Sequence, residues 1–462
     1  MAPKFGTSGL RGLVVELTAD LVADHVGAFV TACPTGGALW VGHDLRPSSP
    51  DLAGVVLEAA RGWGLATVDC GALPTPALAQ AAMAARAAAI MVTGSHIPAD
   101  RNGLKFYTPA GEITKAEEAA ILTALDARVT LKPGPATRLD RNAGAGWVAR
   151  VVRGFGPQAL AGLRLGVWSH SAVSRDLLLA ALPALGAEVL ELGRSDQFIP
   201  VDTEAVPQAV RAQLAAWAAA HRLDAILSTD GDGDRPLMTD GRGRLIPGDI
   251  LGQIAAAVLG AEVVVTPVSS NSGVEAAARF SQVIRTRIGS PFVIAAMAAA
   301  GGRVAGYEAN GGFLLGFAAE GPAGPIAPLM TRDSLLPMVC VLSEARRTGG
   351  LDRLIAAQPP RFTATDRLEN VPVATARAFL SELAAPATMA AFLAPFGGTP
   401  ALTDHTDGSR FALSTGRILH LRPSGNAPEF RVYVEAEAPE AAEAMLALAL
   451  DMLRDGLGQG DP

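Results

Sequence analysis

The amino-acid sequence predicts a multidomain α/β protein in which three similar α/β domains precede a smaller α+β domain. The chain has 462 residues, more than the ~100 to 200 residues that one domain usually holds. Three segments share an order of apolar strand, short polar cluster, helical stretch and second apolar strand, which is typical of a βαβ unit. The composition is 49% apolar and 18% charged, which favours large cores over extended disorder.

The three βαβ segments cover residues 38–71, 165–193 and 261–289. Each predicts parallel strands joined by a right-handed crossover. After Pro372 the pattern changes to a helical stretch, two strands near 418–421 and 430–435, and a helix from Pro439. This order predicts a small α+β domain. Stretches rich in proline and glycine mark the expected junctions, which divide the chain into domains at 1–140, 141–247, 248–358 and 359–462.

Charge and cysteine content exclude several classes of protein. The net charge is −7 and no block of lysine and arginine occurs, so a nucleic-acid partner is not expected. Cys33, Cys70 and Cys340 are widely spaced, which predicts neither a disulfide framework nor a zinc site and favours a reducing cytoplasm. The uncharged run 383–403 carries three prolines, which would break a membrane helix. The first residues lack the apolar core of a signal peptide.

A serine follows the apolar run 87–92 in the segment Thr93-Gly-Ser-His-Ile-Pro98. Strand ends commonly host active sites, and Ser95 has His96 beside it and Lys105 on the following stretch. A nucleophilic serine needs such a base or cation. A turn serine that caps backbone groups would give the same pattern, and a serine hydrolase would need glycine where Ile97 stands.

Three aspartates spaced two residues apart, Asp230, Asp232 and Asp234, follow a second apolar stretch. Their carboxylates can converge on one hard cation, for which Mg²⁺ is the first candidate. Without a cation, carboxylates so crowded would repel one another. A calcium-binding EF-hand would need glycine and glutamate where Arg235 and Gly241 stand. A solvated acidic turn is the alternative.

Two further loops carry groups that suit a phosphorylated sugar. Glu308 and Asn310 lie in a glycine-rich segment, and a carboxylate beside an amide suits sugar hydroxyls. Arg422, Ser424 and Asn426 lie on a Gly/Pro-shaped loop, where a guanidinium, a hydroxyl and an amide can receive a phosphate. Taken singly, an ordinary glycine-rich turn and a β-turn explain these two segments equally well.

These four loops and the opening segment Phe5-Gly-Thr-Ser-Gly-Leu-Arg-Gly12 together resemble, in order, the α-D-phosphohexomutase family. The resemblance extends from Phe5 to Glu435. It implies three similar mixed-sheet α/β domains and a mobile C-terminal α+β domain around a central cleft. It also implies reversible transfer of phosphate between C6 and C1 of a hexose phosphate substrate. The transfer would pass through phospho-Ser95 and a hexose 1,6-bisphosphate, which serves as intermediate and activator.

The resemblance assigns catalytic roles to particular side chains. Asp230, Asp232 and Asp234 would bind Mg²⁺ together with an oxygen of phospho-Ser95. Arg235 would stabilise charge on the transferring phosphoryl group.

Three more side chains complete the implied catalytic group. Arg11 would reach into the active site. Lys105 and His96 are both candidates for moving the proton of the sugar hydroxyl.

Other positions would bind the substrate. The resemblance assigns the sugar to Glu308 and Asn310. It assigns the phosphate that does not react to a receptor formed by Arg422, Ser424 and Asn426. Gly289 and Ser290, in a further turn of the family, would contact the sugar or a phosphate.

The sequence departs from the family pattern at three positions. Ile97 replaces the usual asparagine of the phosphoserine loop. Asn310 and Gly312 stand where mannose and glucose mutases usually carry serine and histidine. Mannose is the first expectation and glucose the second, and phosphoglucosamine mutase is the nearest alternative.

Two readings from other classes remain. An aspartyl phosphatase would use Asp230 as nucleophile and would not need Ser95. A catalytically silent phosphosugar-binding protein would never carry phosphate on Ser95. A monomer or homodimer without a membrane partner is expected in every case.

Overall fold

The computed structural model describes residues 3–6, 9–125, 133–425 and 428–457. Over these residues the chain forms 25 strands and 15 α-helices. It divides into two compact units: Met1–Val265 with Gly289–Ile355, and Thr266–Ile288 with Ala356–Pro462.

The first sheet belongs to the first unit and is mixed. Its strands are β1 (Lys4–Phe5), β2 (Leu10–Leu13), β3 (Ala38–His43), β4 (Ala66–Ala72), β5 (Ala88–Val92), β6 (Arg101–Thr108), β7 (Gly111–Glu112) and β8 (Arg138–Leu139). The helices are α1 (Ala19–Ala32), α2 (Ser49–Gly62), α3 (Thr75–Ala84) and α4 (Lys115–Thr123), with a 3-10 turn at Val14–Glu16. The strand order is β1-β2-β6-β5-β3-β4-β8, with β7 beside β6. Strand β3 is parallel to β4 and β5, whereas β6 is antiparallel to β5.

Strand β5 explains where the serine loop lies. Its five residues are all buried, as expected for a strand covered on both faces. The chain then reverses and returns as β6, so that Met91 pairs with Lys105. This reversal places the loop that contains Ser95 at the carboxyl end of a central strand and brings Lys105 back beside that strand.

The second sheet repeats this arrangement. The region contains α5 (Ala143–Phe155), β9 (Arg164–His170), α6 (Arg175–Ala184), β10 (Glu188–Arg194), α7 (Gln208–His221), β11 (Ala225–Thr229), β12 (Pro236–Thr239) and β13 (Leu245–Ile246). The order is β10-β9-β11-β12-β13. Strand β11 is buried and parallel to β9, whereas β12 is antiparallel to β11. The aspartate-rich loop is therefore again a reversal at the carboxyl end of a buried strand.

The third region contains a further mixed sheet. Its elements are α8 (Gly248–Val258), β14 (Val263–Pro267), α9 (Gly273–Ala276), β15 (Gln282–Thr286), α10 (Ser290–Ala300), β16 (Val304–Tyr307), β17 (Phe313–Leu315), β18 (Ala319–Glu320), β19 (Pro325–Ile326), β20 (Leu329–Asp333), α11 (Leu335–Thr348) and α12 (Leu351–Ala356). Strand β14 is parallel to β16, and β17 is antiparallel to both β16 and β20. Strands β16, β17 and β20 belong to the first unit, whereas helix α9 and strand β15 belong to the second unit.

The second unit is built on an antiparallel sheet with the order β21-β25-β24-β23-β22. Its elements are β21 (Phe362–Glu369), α13 (Val373–Leu383), α14 (Pro386–Leu393), a 3-10 turn (Ala394–Phe396), β22 (Pro400–Asp404), β23 (Ser409–Leu413), β24 (Ile418–Pro423), β25 (Glu429–Ala436) and α15 (Pro439–Gly456). Phe411, Phe430 and Leu453 are among the residues of its hydrophobic core.

The α/β class and the mixed sheets confirm the predicted fold class. Segments 38–71 and 165–193 form the expected parallel strand pairs with an intervening helix. In segment 261–289 the helix is only the four residues of α9, shorter than its apolar flanks suggest. The four domain boundaries stay a prediction.

Within the described residues, no single helix is long and apolar enough to cross a membrane. One pair of helices, Val373–Leu383 and Pro386–Phe396, meets the length and hydropathy criteria together, but it is bent by 100°.

Candidate active site

The serine loop and the aspartate loop meet in the first unit. The hydroxyl of Ser95 donates a hydrogen bond to Oδ2 of Asp230 at 2.7 Å, and both side chains are fully buried. Ser95 has a φ of 55°, in the left-handed region that non-glycine residues seldom adopt. Its backbone N–H donates to the hydroxyl of Thr93 at 2.7 Å. This contact fixes the serine hydroxyl against the carboxylate cluster.

The three aspartates form an oxygen cluster suited to a cation. Asp230, Asp232 and Asp234 are fully buried, and one oxygen of each lies within 4.8 Å of the others. Among the described residues, Oδ1 of Asp232 and Oδ1 of Asp234 have no hydrogen-bond partner. Buried carboxylate oxygens without partners are costly unless a cation pairs with them. An all-oxygen donor set of this kind fits Mg²⁺.

Lys105 partly balances this negative charge. Its ammonium group lies 2.5 Å from Oδ2 of Asp232 and 2.7 Å from Oδ2 of Asp234. The hydroxyl of Thr75 also donates to Oδ2 of Asp232, at 2.6 Å. Thr75 begins helix α3, and its backbone N–H donates to the Asp232 carbonyl at 2.9 Å. Helix α3 therefore holds the aspartate loop at both its backbone and its carboxylate.

The aspartates do not ionise alike. Burial, followed by repulsion from Asp232 and Asp234, raises the pKa of Asp230 well above its usual value. Burial would also raise the pKa of Asp232, but the charge and hydrogen bond of Lys105, with the Thr75 hydroxyl, lower it below the usual value. Asp230, which accepts the Ser95 hydroxyl, therefore needs a proton or a cation more than Asp232 does.

Arg235 and His96 cover one side of the serine. Nη1 of Arg235 donates to Nδ1 of His96 at 2.9 Å, and this same nitrogen lies 3.4 Å from the Ser95 hydroxyl oxygen. Nε of Arg235 lies 4.0 Å from a carboxylate oxygen of both Asp230 and Asp234. Because Nδ1 accepts from a guanidinium, neutral His96 carries its proton on Nε2.

The charges of the two site arginines persist in the protein. Burial and Arg332 would lower the pKa of Arg235, but Asp230 and Asp234 keep it above the usual value. Burial, followed by the like charge of Arg235, lowers the pKa of Arg11 to about 10. Both guanidinium groups are therefore cationic at neutral pH.

The sugar loop connects to the aspartates through Arg332, which the sequence patterns did not identify. Nη1 of Arg332 donates to Oε2 of Glu308 at 3.3 Å, and Nη2 lies 2.8 Å from Oδ2 of Asp234. Asn310 accepts the Gly312 N–H at 3.0 Å, which closes the loop on itself. A Cβ at Gly312 would lie 2.6 Å from Cδ of Arg332. Glycine at this position therefore makes room for the arginine.

Gly289 and Ser290 lie at the start of helix α10. Gly289 has a φ of 132°, a backbone conformation that favours glycine. The hydroxyl of fully buried Ser290 lies 3.0 Å from both carboxylate oxygens of Glu112. Glu112, on β7, is, after Arg332, the second residue near the predicted site residues that the sequence patterns did not identify.

The predicted phosphate loop lies in the second unit. Nε of Arg422 is 2.9 Å from Oδ2 of Asp407. Ser424 is buried, and its backbone N–H donates to the Glu429 carbonyl at 2.8 Å. Asn426 lies outside the described residues.

The structure therefore brings Ser95, His96, Lys105, Arg235 and the three aspartates together by direct contact, and it connects Glu308 to them through Arg332. Arg11 is close enough for its charge to interact with Arg235 and Asp232.

Comparison with known proteins identifies the family. Three family models match this chain: phosphoglucomutase/phosphomannomutase alpha/beta/alpha domain I at residues 2–131, domain III at residues 247–362 and the C-terminal domain at residues 368–451. A phosphomannomutase of Sinorhizobium fredii is 45% identical over 99% of this chain and 100% of its own length. The chain belongs to the phosphoglucomutase/phosphomannomutase family.

Other members of the family show how far this similarity extends. A phosphomannomutase of Salmonella muenchen is 40% identical over 98% of this chain and 96% of its own length. A phosphoglucosamine mutase of Alkalilimnicola ehrlichii is 30% identical over 96% of both chains.

Solved structures show the same phosphohexomutase fold. A phosphoglucomutase/phosphomannomutase family protein from Burkholderia thailandensis has a TM-score of 0.76 and 22% identity, covering 98% of this chain and 96% of that one. The N-acetylphosphoglucosamine mutase of Aspergillus fumigatus, in complex with GlcNAc-6P and magnesium, has a TM-score of 0.57 and 15% identity over 98% and 96%.

Membership settles the type of reaction. This phosphohexomutase is an isomerase of the mutase type, which transfers a phosphoryl group within a hexose phosphate. The acidic cluster is able to hold a metal ion.

Proposed function

We propose that the protein is a Mg²⁺-dependent phosphomannomutase that moves the phosphoryl group between C6 and C1 through phospho-Ser95. The observation that carries the proposal is the 2.7 Å hydrogen bond from the Ser95 hydroxyl to Asp230, because it places a buried serine directly on the carboxylate cluster. The mannose preference is supported by relatives named phosphomannomutases at 45% and 40% identity, against 30% for a glucosamine mutase.

The metal is assigned to Asp230, Asp232 and Asp234, with an oxygen of phospho-Ser95 as a further ligand. The unpartnered oxygens of the cluster support this assignment, as does the magnesium complex of the Aspergillus enzyme. Bound Mg²⁺ would neutralise charge on the phosphoryl group during its in-line transfer.

The first half-reaction forms one P–O bond and breaks another. A free hydroxyl oxygen of the hexose phosphate attacks the phosphorus of phospho-Ser95, and the bond between phosphorus and Oγ breaks. The sugar hydroxyl loses its proton to a base, and the departing serine oxygen takes up a proton. The product is a hexose 1,6-bisphosphate. It reorients in the active site and returns its other phosphoryl group to Ser95.

Arg235 and Arg11 would stabilise the negative charge of the phosphoryl group during its transfer. Nε of Arg235 lies 4.0 Å from carboxylate oxygens of Asp230 and Asp234, so its guanidinium would lie near a phosphoryl group carried by Ser95. Arg11 supplies a second positive charge, and preorganised cations of this kind stabilise charge that develops in the transition state.

Lys105 and His96 are the two candidates for proton transfer. Lys105 is held by two carboxylates. His96 accepts at Nδ1 from Arg235, so its neutral ring carries the proton to be exchanged on Nε2. The pH profiles of kcat for Lys105→Gln and His96→Gln distinguish them, because only loss of the true base removes the corresponding limb of the profile.

Substrate binding is assigned to three places. Glu308 and Asn310 bind sugar hydroxyls. Arg422, Ser424 and Asn426 grip the phosphate that does not react, and do so in both orientations of the bisphosphate. Gly289 and Ser290, at the start of helix α10, contact the sugar or a phosphate. We also assign the enzyme to the cytoplasm, as a monomer or homodimer.

The test is turnover of mannose 1-phosphate, glucose 1-phosphate and glucosamine 1-phosphate, with Mg²⁺ and catalytic bisphosphate. Wild type is compared with Ser95→Ala and with Ser169→Ala, a fully buried serine on β9 that donates to Glu191 instead. We expect mannose 1-phosphate to be the best substrate and only Ser95→Ala to abolish turnover. A preference for glucosamine 1-phosphate would mean that the enzyme is a phosphoglucosamine mutase instead. A rate independent of Ser95, with loss in Asp230→Ala, would favour the aspartyl phosphatase.

A further inference from the structure

We propose that Arg46, acting with Asp44, is a positioning residue that holds the Ser95 loop in the backbone conformation from which phosphoryl transfer occurs. The inference rests on the proposed role of Ser95 as the phosphoryl carrier. Arg46 lies on the turn between β3 and α2 and is 1% exposed. Its guanidinium donates hydrogen bonds to Asp44 and to backbone carbonyls of the serine loop, so its action is through the loop.

The guanidinium of Arg46 is directed at the backbone of the serine loop. Nη2 donates to the carbonyls of Ser95 at 2.9 Å and Ile97 at 2.6 Å. Nη1 donates to the carbonyls of Pro98 at 2.7 Å and Arg101 at 3.1 Å. One side chain thus donates hydrogen bonds to four carbonyls between positions 95 and 101. No sequence motif indicated this role.

Asp44 fixes the backbone N–H of the same residue, Ser95, through the hydroxyl of Thr93. Its Oδ2 accepts Nε of Arg46 at 3.1 Å and the hydroxyl of Thr93 at 2.7 Å. The Thr93 hydroxyl in turn accepts the backbone N–H of Ser95. The N–H and the carbonyl of Ser95 are therefore both fixed, directly or through one hydroxyl, by the Asp44–Arg46 ion pair.

Ser95 needs such a support because of its φ of 55°. A non-glycine residue in the left-handed region persists only when its surroundings over-determine it. This backbone is also what directs the hydroxyl at Asp230. A loop released from Arg46 would relax toward ordinary φ values and turn the hydroxyl away from the carboxylate cluster.

Two neighbours make the arginine specific. A Cβ on Gly94 would lie 2.7 Å from Cζ of Arg46, so the loop backbone packs against the guanidinium. The ring centroid of Phe198 lies 4.1 Å from the same carbon. A planar, five-donor group fits this position, whereas the single ammonium of lysine offers neither the stacking face nor the four directed N–H groups.

Arg46→Lys should therefore keep the charge and lose the geometry. We expect transfer from phospho-Ser95 to mannose 1-phosphate, measured in a single turnover, to slow about 100-fold, the usual effect of misplacing a reacting group by about 1 Å. The KM for mannose 1-phosphate should change little, because the hydrogen bonds of Arg46 go to Asp44 and to the loop backbone. Arg175→Lys is the matched control, since its Nη1 also donates to two carbonyls, those of His170 and Ser195, outside the loop.

A second pair of variants covers the case in which Arg46→Lys does not fold. Thr93→Val keeps the shape of the side chain and removes the hydroxyl between Asp44 and Ser95, whereas Thr93→Ser restores it. We expect slow transfer in Thr93→Val and recovery in Thr93→Ser. The thermal midpoint of Thr93→Val should fall as well, because Oδ2 of Asp44 and the N–H of Ser95 lose a buried partner, so transfer rates are compared at a temperature at which both variants are folded.

The outcomes separate this inference from the proposed function. Turnover in Ser95→Ala would overturn the proposed function and this inference with it. An inactive Ser95→Ala together with normal single-turnover rates in Arg46→Lys or Thr93→Val would overturn only the positioning role. The positioning role would also be overturned if Arg175→Lys slowed transfer as much as Arg46→Lys does for the same fall in thermal midpoint.

Discussion

The ammonium nitrogen of Lys105 lies 2.5 Å from Oδ2 of Asp232, an oxygen of the cluster assigned to Mg²⁺. A buried cation so close to the carboxylates stabilises them and at the same time repels any metal ion that binds there. Lys105 and Mg²⁺ would therefore compete for the same two carboxylates, those of Asp232 and Asp234.

Lys105→Met should bind divalent cations several-fold more tightly than wild type, because a competing positive charge is lost. Without metal the variant should unfold at a lower temperature, since two buried carboxylates lose this partner. A Mn²⁺ titration monitored by electron paramagnetic resonance measures the metal affinity. Thermal unfolding scans with and without Mg²⁺ measure the stability. Lys115→Met, which removes a partly exposed lysine paired with Glu118, is the control. Weaker Mn²⁺ binding in Lys105→Met would contradict this account.

Arg332 should determine the position of Glu308. Arg332→Met removes the connection between Glu308 and Asp234 and leaves both carboxylates buried without this partner. We expect kcat/KM for mannose 1-phosphate to fall by at least tenfold, and discrimination between sugars to narrow, because the sugar-binding carboxylate is no longer fixed. Steady-state kinetics on mannose and glucose 1-phosphates measures both.

Gly312→Ala tests the same relationship from the other side. The new Cβ would lie 2.6 Å from Cδ of Arg332, so the arginine must move. Its kinetic effects should resemble those of Arg332→Met. Combined with Arg332→Ala, in which Cγ and Cδ are absent, Gly312→Ala should add little to the loss caused by Arg332→Ala alone, because the closest contacts of the new Cβ disappear. Additive losses would show that the two residues act separately.

Ser290 is expected to act through Glu112 and not by contact with the substrate alone. Ser290→Ala removes a hydrogen bond to a buried carboxylate, which typically costs about 1.5 to 3 kcal/mol of stability. The thermal midpoint should therefore fall. A raised KM with an unchanged thermal midpoint would indicate direct substrate contact instead.

The sequence patterns were sufficient where chemistry and secondary structure coincide locally. Ser95 and Asp230 each follow a buried strand, and the patterns predicted both loops. Arg332 is different, because it reaches Glu308 only when β20 pairs with β17, a register that no local pattern specifies. The signal was present in Thr331-Arg332-Asp333, a charged pair between apolar stretches, which indicates buried charge. Likewise, Glu112 meets Ser290 across 178 residues of sequence.

The second unit should lose stability in mild acid because of His420. This histidine is 1% exposed, and burial lowers its pKa to about 4, although its hydrogen bond to the Asp407 carbonyl opposes the shift. Between pH 6.5 and 4 the unfolded chain takes up a proton there that the folded protein does not, so stability falls as pH falls. The full loss is on the order of 3 kcal/mol.

His420→Gln should flatten this pH dependence, as measured by thermal unfolding between pH 7.5 and 4.5. His405→Gln, which changes an exposed histidine of the same unit, is the control. His170 in the first unit has its pKa lowered to about 4, chiefly by burial, so part of the slope should remain in His420→Gln. An unchanged slope would contradict the assignment to His420.

The left-handed backbone at Ser95 restricts which amino acids evolution can place there. Threonine has the same hydroxyl and accepts a phosphoryl group by the same chemistry. Its β-branch, however, makes a positive φ a genuine outlier, and positions 93 to 95 are buried. The most conservative replacement available is therefore excluded by conformation alone, and the carrier is a serine for reasons of shape as much as of reactivity.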